Sequence, residues 1–266
     1  MTDVSTTGTP LYSRLGVGAR LEDGQLVLEV RPQPETLHCG IIRASVLAFA
    51  IDVVAGIPLD READMWTLTS DMTVRMRPVP APRRIDATSE VLRQGRRSAT
   101  SVVDMRTDEG TPIATGAIGF TKVPRKPTDP PKPLTPLDQI PTVFRGISTL
   151  ARPLRVEAGI EVIDAAEGKL QVELTADLLN PAGTLQGAMV ALVAEAAAED
   201  LMATRFGSSF VVTDLDLRYL RKTGLGPVRT RTTLLGDRPD SAIQIELIDL
   251  SNNEITTLVY AAAVAV

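Results

Sequence analysis

The stretch HCGIIRASVLAFAIDVVA, which begins at His38, has a counterpart 143 residues further on, PAGTLQGAMVALVAEAAA, which begins at Pro181. That offset sets Gly40 on Gly183, Asp52 on Glu195 and, later, Asp71 on Asp214. A repeat of this length means that one structural unit is used twice, so any fold assigned to one half must serve the other. The order of predicted elements agrees between the halves. Each has a strand (GQLVLEVRP; GKLQVELTA), a glycine-bearing loop, an apolar helix, a strand of charged and apolar alternation (SDMTVRMRP; TDLDLRYLRK), and two further strands. The alternation and the pairs Asp23-Gly24, Glu109-Gly110 and Asn252-Asn253 predict antiparallel hairpins. One helix among about five strands per half makes each an α+β unit.

The helix that begins near Ile41 is apolar on nearly every side, which predicts burial all round. An antiparallel sheet wrapped around a long central helix provides that burial, and two such sheets set edge to edge protect their edges. The segment between Lys122 and Thr142, KVPRKPTDPPKPLTPLDQIPT, holds seven of the chain's 19 prolines and favours extended backbone. It divides the sequence into an expected first domain at 11–123, a linker at 124–142 and a second domain at 143–266.

Composition narrows the function classes. A net charge of -5 argues against a general nucleic-acid binder, and 3% aromatic residues leave the core to Val, Leu, Ile and Ala. The apolar runs fall short of the roughly 18 residues a membrane span requires. A single cysteine, Cys39, and a start with neither a basic nor an apolar leader make the cytoplasm the default expectation. With His38 as the lone imidazole, no zinc site of several histidines is expected, and no metal or other cofactor is implied. No GxSxG elbow supports a serine hydrolase.

The loop-and-helix pattern resembles the hotdog-fold acyl-CoA thioesterases of the 4-hydroxybenzoyl-CoA and phenylacetate-pathway type, present as a double hotdog. The motif of that family is Asn or Gln, two residues, Gly, two residues, His-Gly-Gly, and an acid nine positions after the His. The second half reads Asn180, Gly183, Gln186-Gly187-Ala188 and Glu195; the first reads Leu37, Gly40, Arg43-Ala44-Ser45 and Asp52. A later strand ending in Arg-Pro is a second family feature, seen at Met76-Arg77-Pro78 and less closely at Leu220-Arg221-Lys222. The usual His is Gln186 or Arg43, and the hydroxyl often found four residues past the acid is replaced by Gly56 or Glu199.

The resemblance implies two sheets, each around its helix, packed as a pseudo-dimer with composite sites between the halves. One site would join Asn180, Gly183, Gln186 and Gly187 to Asp52; the other would join His38, Gly40, Arg43 and Ala44 to Glu195. The first keeps the family's amide side chain and is the favoured site. Its chemistry would be hydrolysis of an acyl-CoA, the partner expected here. The helix N-terminus would stabilise the oxyanion, Gly187 would let substrate approach, and Asp52 would act as general base or nucleophile. Desolvation in an apolar helix makes that acid a stronger base. Arg77 and Arg221 are candidates for the phosphates of CoA. Association of pseudo-dimers into a homo-oligomer is a further expectation, and a non-catalytic acyl-CoA or acyl-chain binding module is the alternative function.

Overall fold

The structure is a computed structural model that describes residues 9–147 and 150–266. Its first hairpin pairs β1 (Val17–Glu22) with β2 (Gln25–Val30) through Asp23 and Gly24. Both turn residues have positive φ, 49° and 79°, the backbone twist that closes a two-residue hairpin. A short pair, β3 (Leu37–His38) and β4 (Ile41–Ile42), then turns at Cys39 and Gly40 into helix α1 (Ala44–Leu59). Strands β5 (Met65–Met76), β6 (Ile85–Gln94), β7 (Ser98–Thr107) and β8 (Pro112–Pro124) complete the first half. Of the helix, only Asp52, Gly56, Ile57 and Pro58 are less than fully buried.

The linker carries one helical turn, α2 (Ile140–Val143), and is followed by another, α3 (Leu154–Glu157). The second half then runs β9 (Glu161–Asp164), β10 (Lys169–Val172), α4 (Gly187–Phe206), β11 (Phe210–Tyr219), β12 (Val228–Leu234), β13 (Ile243–Asp249) and β14 (Glu254–Ala265). Helix α4 is buried from Ala188 to Glu199 and packs against α1. Among the described residues, no helix is long and apolar enough to cross a membrane.

The two sheets meet edge to edge and run on as one antiparallel sheet of 12 strands, in the order β1-β2-β6-β7-β8-β5-β11-β14-β13-β12-β10-β9, beside the small β3-β4 pair. The halves fuse because β5 and β11 would each present a bare edge, and each satisfies the other's backbone groups. The register of that seam is self-complementary. Asp71 lies opposite Arg218 and Arg75 opposite Asp214, around a central pair of Thr73 and Asp216. The repeat offset carries Asp71 to Asp214, Thr73 to Asp216 and Arg75 to Arg218, so exchanging the halves leaves the pairing unchanged. Bulges also recur at matching points, between Thr69 and Asp71 and between Val212 and Asp214.

The proline-rich segment is fastened down rather than free. Lys132 Nζ donates to Asp60 Oδ1 at 2.6 Å and to the carbonyls of Glu62 and Met65 at 2.7 Å, and its side chain is 1% exposed. The indole of Trp66 donates to Asp129 Oδ2 at 3.0 Å while Arg125 and Lys132 flank its ring. Further on, the Ala19 amide donates to the Phe144 carbonyl and the Gly146 amide to that of Val17, which lays the end of the linker on β1. Lys132→Met would leave the three acceptors without their shared donor. Its unfolding free energy in a urea titration should fall by about 2 kcal/mol; an unchanged midpoint would mean that this fastening contributes nothing.

Candidate active site

Gln186 is the N-cap of α4, with extended backbone and a 5%-exposed residue surface. Its Oε1 accepts from the amides of Ala188 at 2.6 Å and Met189 at 3.3 Å, two of the donors that a helix start leaves unpaired. With the oxygen so engaged, the amide nitrogen points the other way, and Nε2 donates to Asp52 Oδ2 at 3.2 Å. Asp52 belongs to α1, so this bond crosses between the halves. Its second oxygen accepts from the Thr69 hydroxyl of β5 at 2.6 Å. Burial holds the Asp52 carboxyl above the usual range; the Thr69 bond opposes that shift and the negative charge of Asp60 adds to it.

The surface that Asp52 retains faces a cavity of about 370 Å³. Tyr12, Phe49, Ile57 and Phe120 give it apolar walls, while Asn180, Ala182 and Gln186 reach it from the other half. Tyr219 stands behind the helix start, its hydroxyl donating to the Gly187 carbonyl at 3.1 Å. Burial, reinforced by the charge of Asp52, keeps this phenol protonated well above its ordinary range. The Gly187 amide has no hydrogen-bond acceptor among the described residues.

The repeat-related position is built differently. Glu195, fully buried on α4, places its carboxylate at the N-terminus of α1. It accepts from the Ala44 amide at 2.7 Å, the Ser45 amide at 3.3 Å and the Ser45 hydroxyl at 2.5 Å. These donors, beside the positive end of the helix dipole, satisfy the acid and use up the amides. Arg43 closes the arrangement, donating to Glu199 Oε2 at 2.9 Å and lying 3.7 Å from Glu195. His38 lies 3.1 Å from the Phe210 carbonyl.

Of the residues singled out in the sequence, Asp52, Asn180 and Gln186 therefore share one cavity. Asn180 also shapes its loop, its Oδ1 accepting from the Ala182 and Thr184 amides. Arg43, expected to meet substrate, is instead buried between the two acids, 3.7 Å from Glu195 and donating to Glu199, because a buried carboxylate beside it offsets the cost of burying its charge. Gly187, expected to let substrate approach, makes room for protein: a Cβ there would lie 3.2 Å from the Tyr219 hydroxyl. Gly40 and Gly183 occupy left-handed turns with φ of 76° and 73°. Arg77 and Arg221 lie outside the cavity lining, where their guanidinium groups donate to the Pro112 and Ile255 carbonyls. Thr69 and Tyr219 went unnoticed in the sequence. The bare place four residues after Asp52, where a hydroxyl was expected, was the signal that one could come from elsewhere.

No family model matches the chain, and no curated protein sequence matches it significantly. Solved structures do. A protein of Thermobifida fusca YX provisionally called a thioesterase II is 17% identical, covering 98% of this chain and 99% of that one, with a TM-score of 0.65. An acyl-ACP thioesterase from Bacteroides thetaiotaomicron is 11% identical, covering 95% and 99%, with a TM-score of 0.59. A protein of unknown function with a hot dog fold from Alicyclobacillus acidocaldarius is also 11% identical, covering 97% and 99%, with a TM-score of 0.61. At these identities the likeness is one of architecture, and the chain has the hotdog fold.

Glu199 gives the closed site a measurable signature. Burial pushes its carboxyl up to about 8; Arg43 opposes the shift and Glu195 adds to it. The folded chain therefore keeps a proton that the unfolded chain releases from about 4.5 upward, so this group lowers stability as pH rises from there through about 8. Denaturant titrations across that range should show a decline in stability that is shallower in Glu199→Gln. An equal slope in both proteins would locate the titration elsewhere.

Proposed function

We propose that the protein is an enzyme that hydrolyses an acyl-CoA thioester at the cavity beside Asp52. The observation that carries this reading is the Gln186 bridge, which holds the carboxylate of α1 against the N-terminus of α4 within an apolar cavity. In this reading the two halves work as a pseudo-dimer, the first supplying the acid and the second the helix start. The thioesterase names of the structural relatives are consistent with it.

Asp52 acts as general base. It takes a proton from water as the water oxygen attacks the thioester carbon, the Gly187 amide stabilises the charge gathering on the carbonyl oxygen, and the C–S bond then breaks. The proton held by Asp52 passes to the departing thiolate, giving free acid and CoA. Direct attack by the carboxylate, through an anhydride, is the other route open to the same group. Gln186 Nε2 orients the acid, and the Thr69 hydroxyl moderates its basicity. Glu195 has no part in this chemistry, since three donors already hold its carboxylate.

A panel of acyl-CoA esters assayed by thiol release tests the reading. Asp52→Asn should lower kcat by about 10²- to 10⁴-fold, the usual contribution of a positioned base, while Glu195→Gln retains most of the turnover. Binding of CoA esters without turnover would instead favour the acyl-CoA binding module, and no binding would end both readings. The carboxylate form is the active one, so kcat/KM should rise with pH through a value above that of an ordinary aspartate. Thr69→Val should move that rise to higher pH, because the bond it removes favours the charged form. A profile unmoved by this change would separate Thr69 from the base.

A further inference from the structure

The repeat accounts for two related sites, yet one component of the cavity lies between the repeats and occurs only once. Pro133, Leu134, Thr135 and Ile140 of the linker, with Val143 and Phe144 just past its end, line it together with residues of α1. The segment is held at both ends, by Lys132 on the carbonyls of Glu62 and Met65 and by Phe144 and Gly146 on β1. Arg61 ties its middle, donating to the Thr135 carbonyl at 2.9 Å. The Phe144 ring lies 6.2 Å from that of Phe49, tilted by 45°, one turn of α1 before Asp52. A proline-rich connection between two domains has no need of apolar side chains in the lining of a cavity that also holds a carboxylate.

The cavity's dimensions limit what it holds. Its lining follows α1 from Phe49 to Ile57, which at 1.5 Å per residue is about 12 Å. That equals about ten bonds of an extended carbon chain at roughly 1.2 Å each. By volume, an apolar cavity of about 150 Å³ takes one benzene, so one of about 370 Å³ has an upper limit near fifteen carbons.

From these observations we propose that the linker is the specificity-determining wall of the site, and that the acyl group it accommodates is a medium-chain one of roughly eight to twelve carbons. The inference rests on the thioesterase reading above and adds to it the substrate class and the residues that select it. Leu134 and Phe144 set the space available, and Lys132 holds them in place as a positioning residue.

The test compares the wild type, Leu134→Trp and Phe144→Ala on saturated acyl-CoAs from butanoyl to hexadecanoyl, together with binding of the free fatty acids of the same lengths. The wild type should prefer the middle of the series. Leu134→Trp should lower kcat/KM for dodecanoyl-CoA about tenfold relative to butanoyl-CoA, the scale on which a hydrophobic pocket discriminates by size, and Phe144→Ala should move the preference toward longer chains. Hydrolysis with the same length profile in all three proteins would overturn the linker's role and leave the thioesterase reading intact. If the wild type turns over no ester but fatty-acid binding shifts with both substitutions, the catalytic reading fails and the linker's selection of chain length stands. Absence of both hydrolysis and fatty-acid binding would overturn both.

Discussion

The antiparallel seam between β5 and β11 fixes the relation of everything else. Its self-complementary register, centred on Thr73 and Asp216, relates the two halves by a near two-fold exchange. Each strand is preceded by its own helix, so the same exchange brings α1 and α4 together. The acid of each helix then meets the start of the other: Asp52 at Gln186, Glu195 at Ala44 and Ser45. A one-residue slip in the seam would reverse the face presented by every side chain along it, and the pairing of acid with helix end would be lost.

Symmetry creates two equivalent places, and small chemical differences separate their fates. Glu195 is one methylene longer than Asp52 and reaches the backbone amides of α1 directly. The helix end and the acid neutralise each other, and Arg43 with Glu199 fills what remains. At the other place, the shorter Asp52 stops at a side chain. Gln186 spans the difference, its oxygen on the helix and its nitrogen on the acid, and the carboxylate keeps a surface on the cavity. A duplicated unit can thus hold one acid as a structural cap and leave the other poised for chemistry, with no change in backbone architecture.

Much of the site was legible because its residues fall at fixed spacing within a repeated motif. Asp52, Asn180 and Gln186 were all marked by the loop-to-acid pattern, and the structure brings them to one cavity. The arginines were not legible in the same way. A guanidinium suits a phosphate, a carbonyl or a buried acid equally well, and only its surroundings decide; Arg43 proves to be the buried partner of Glu195 and Glu199, while Arg77 and Arg221 bind backbone carbonyls. Thr69 and Tyr219 lay outside the motif because they arrive from strands, through pairings that no local spacing encodes.

By itself the sequence determined the repeat, the order of its elements, and the burial of the first helix, because these follow from local propensity and from the placement of apolar residues. Tertiary structure decided the rest. It set the register in which the two sheet edges join, with Thr73 opposite Asp216 at the centre. It chose which acid is capped and which faces a cavity, a choice that depends on the reach of side chains across an interface. It also turned a proline-rich connection into a wall of that cavity, which depends on where Lys132 finds three oxygens lying far from it in sequence.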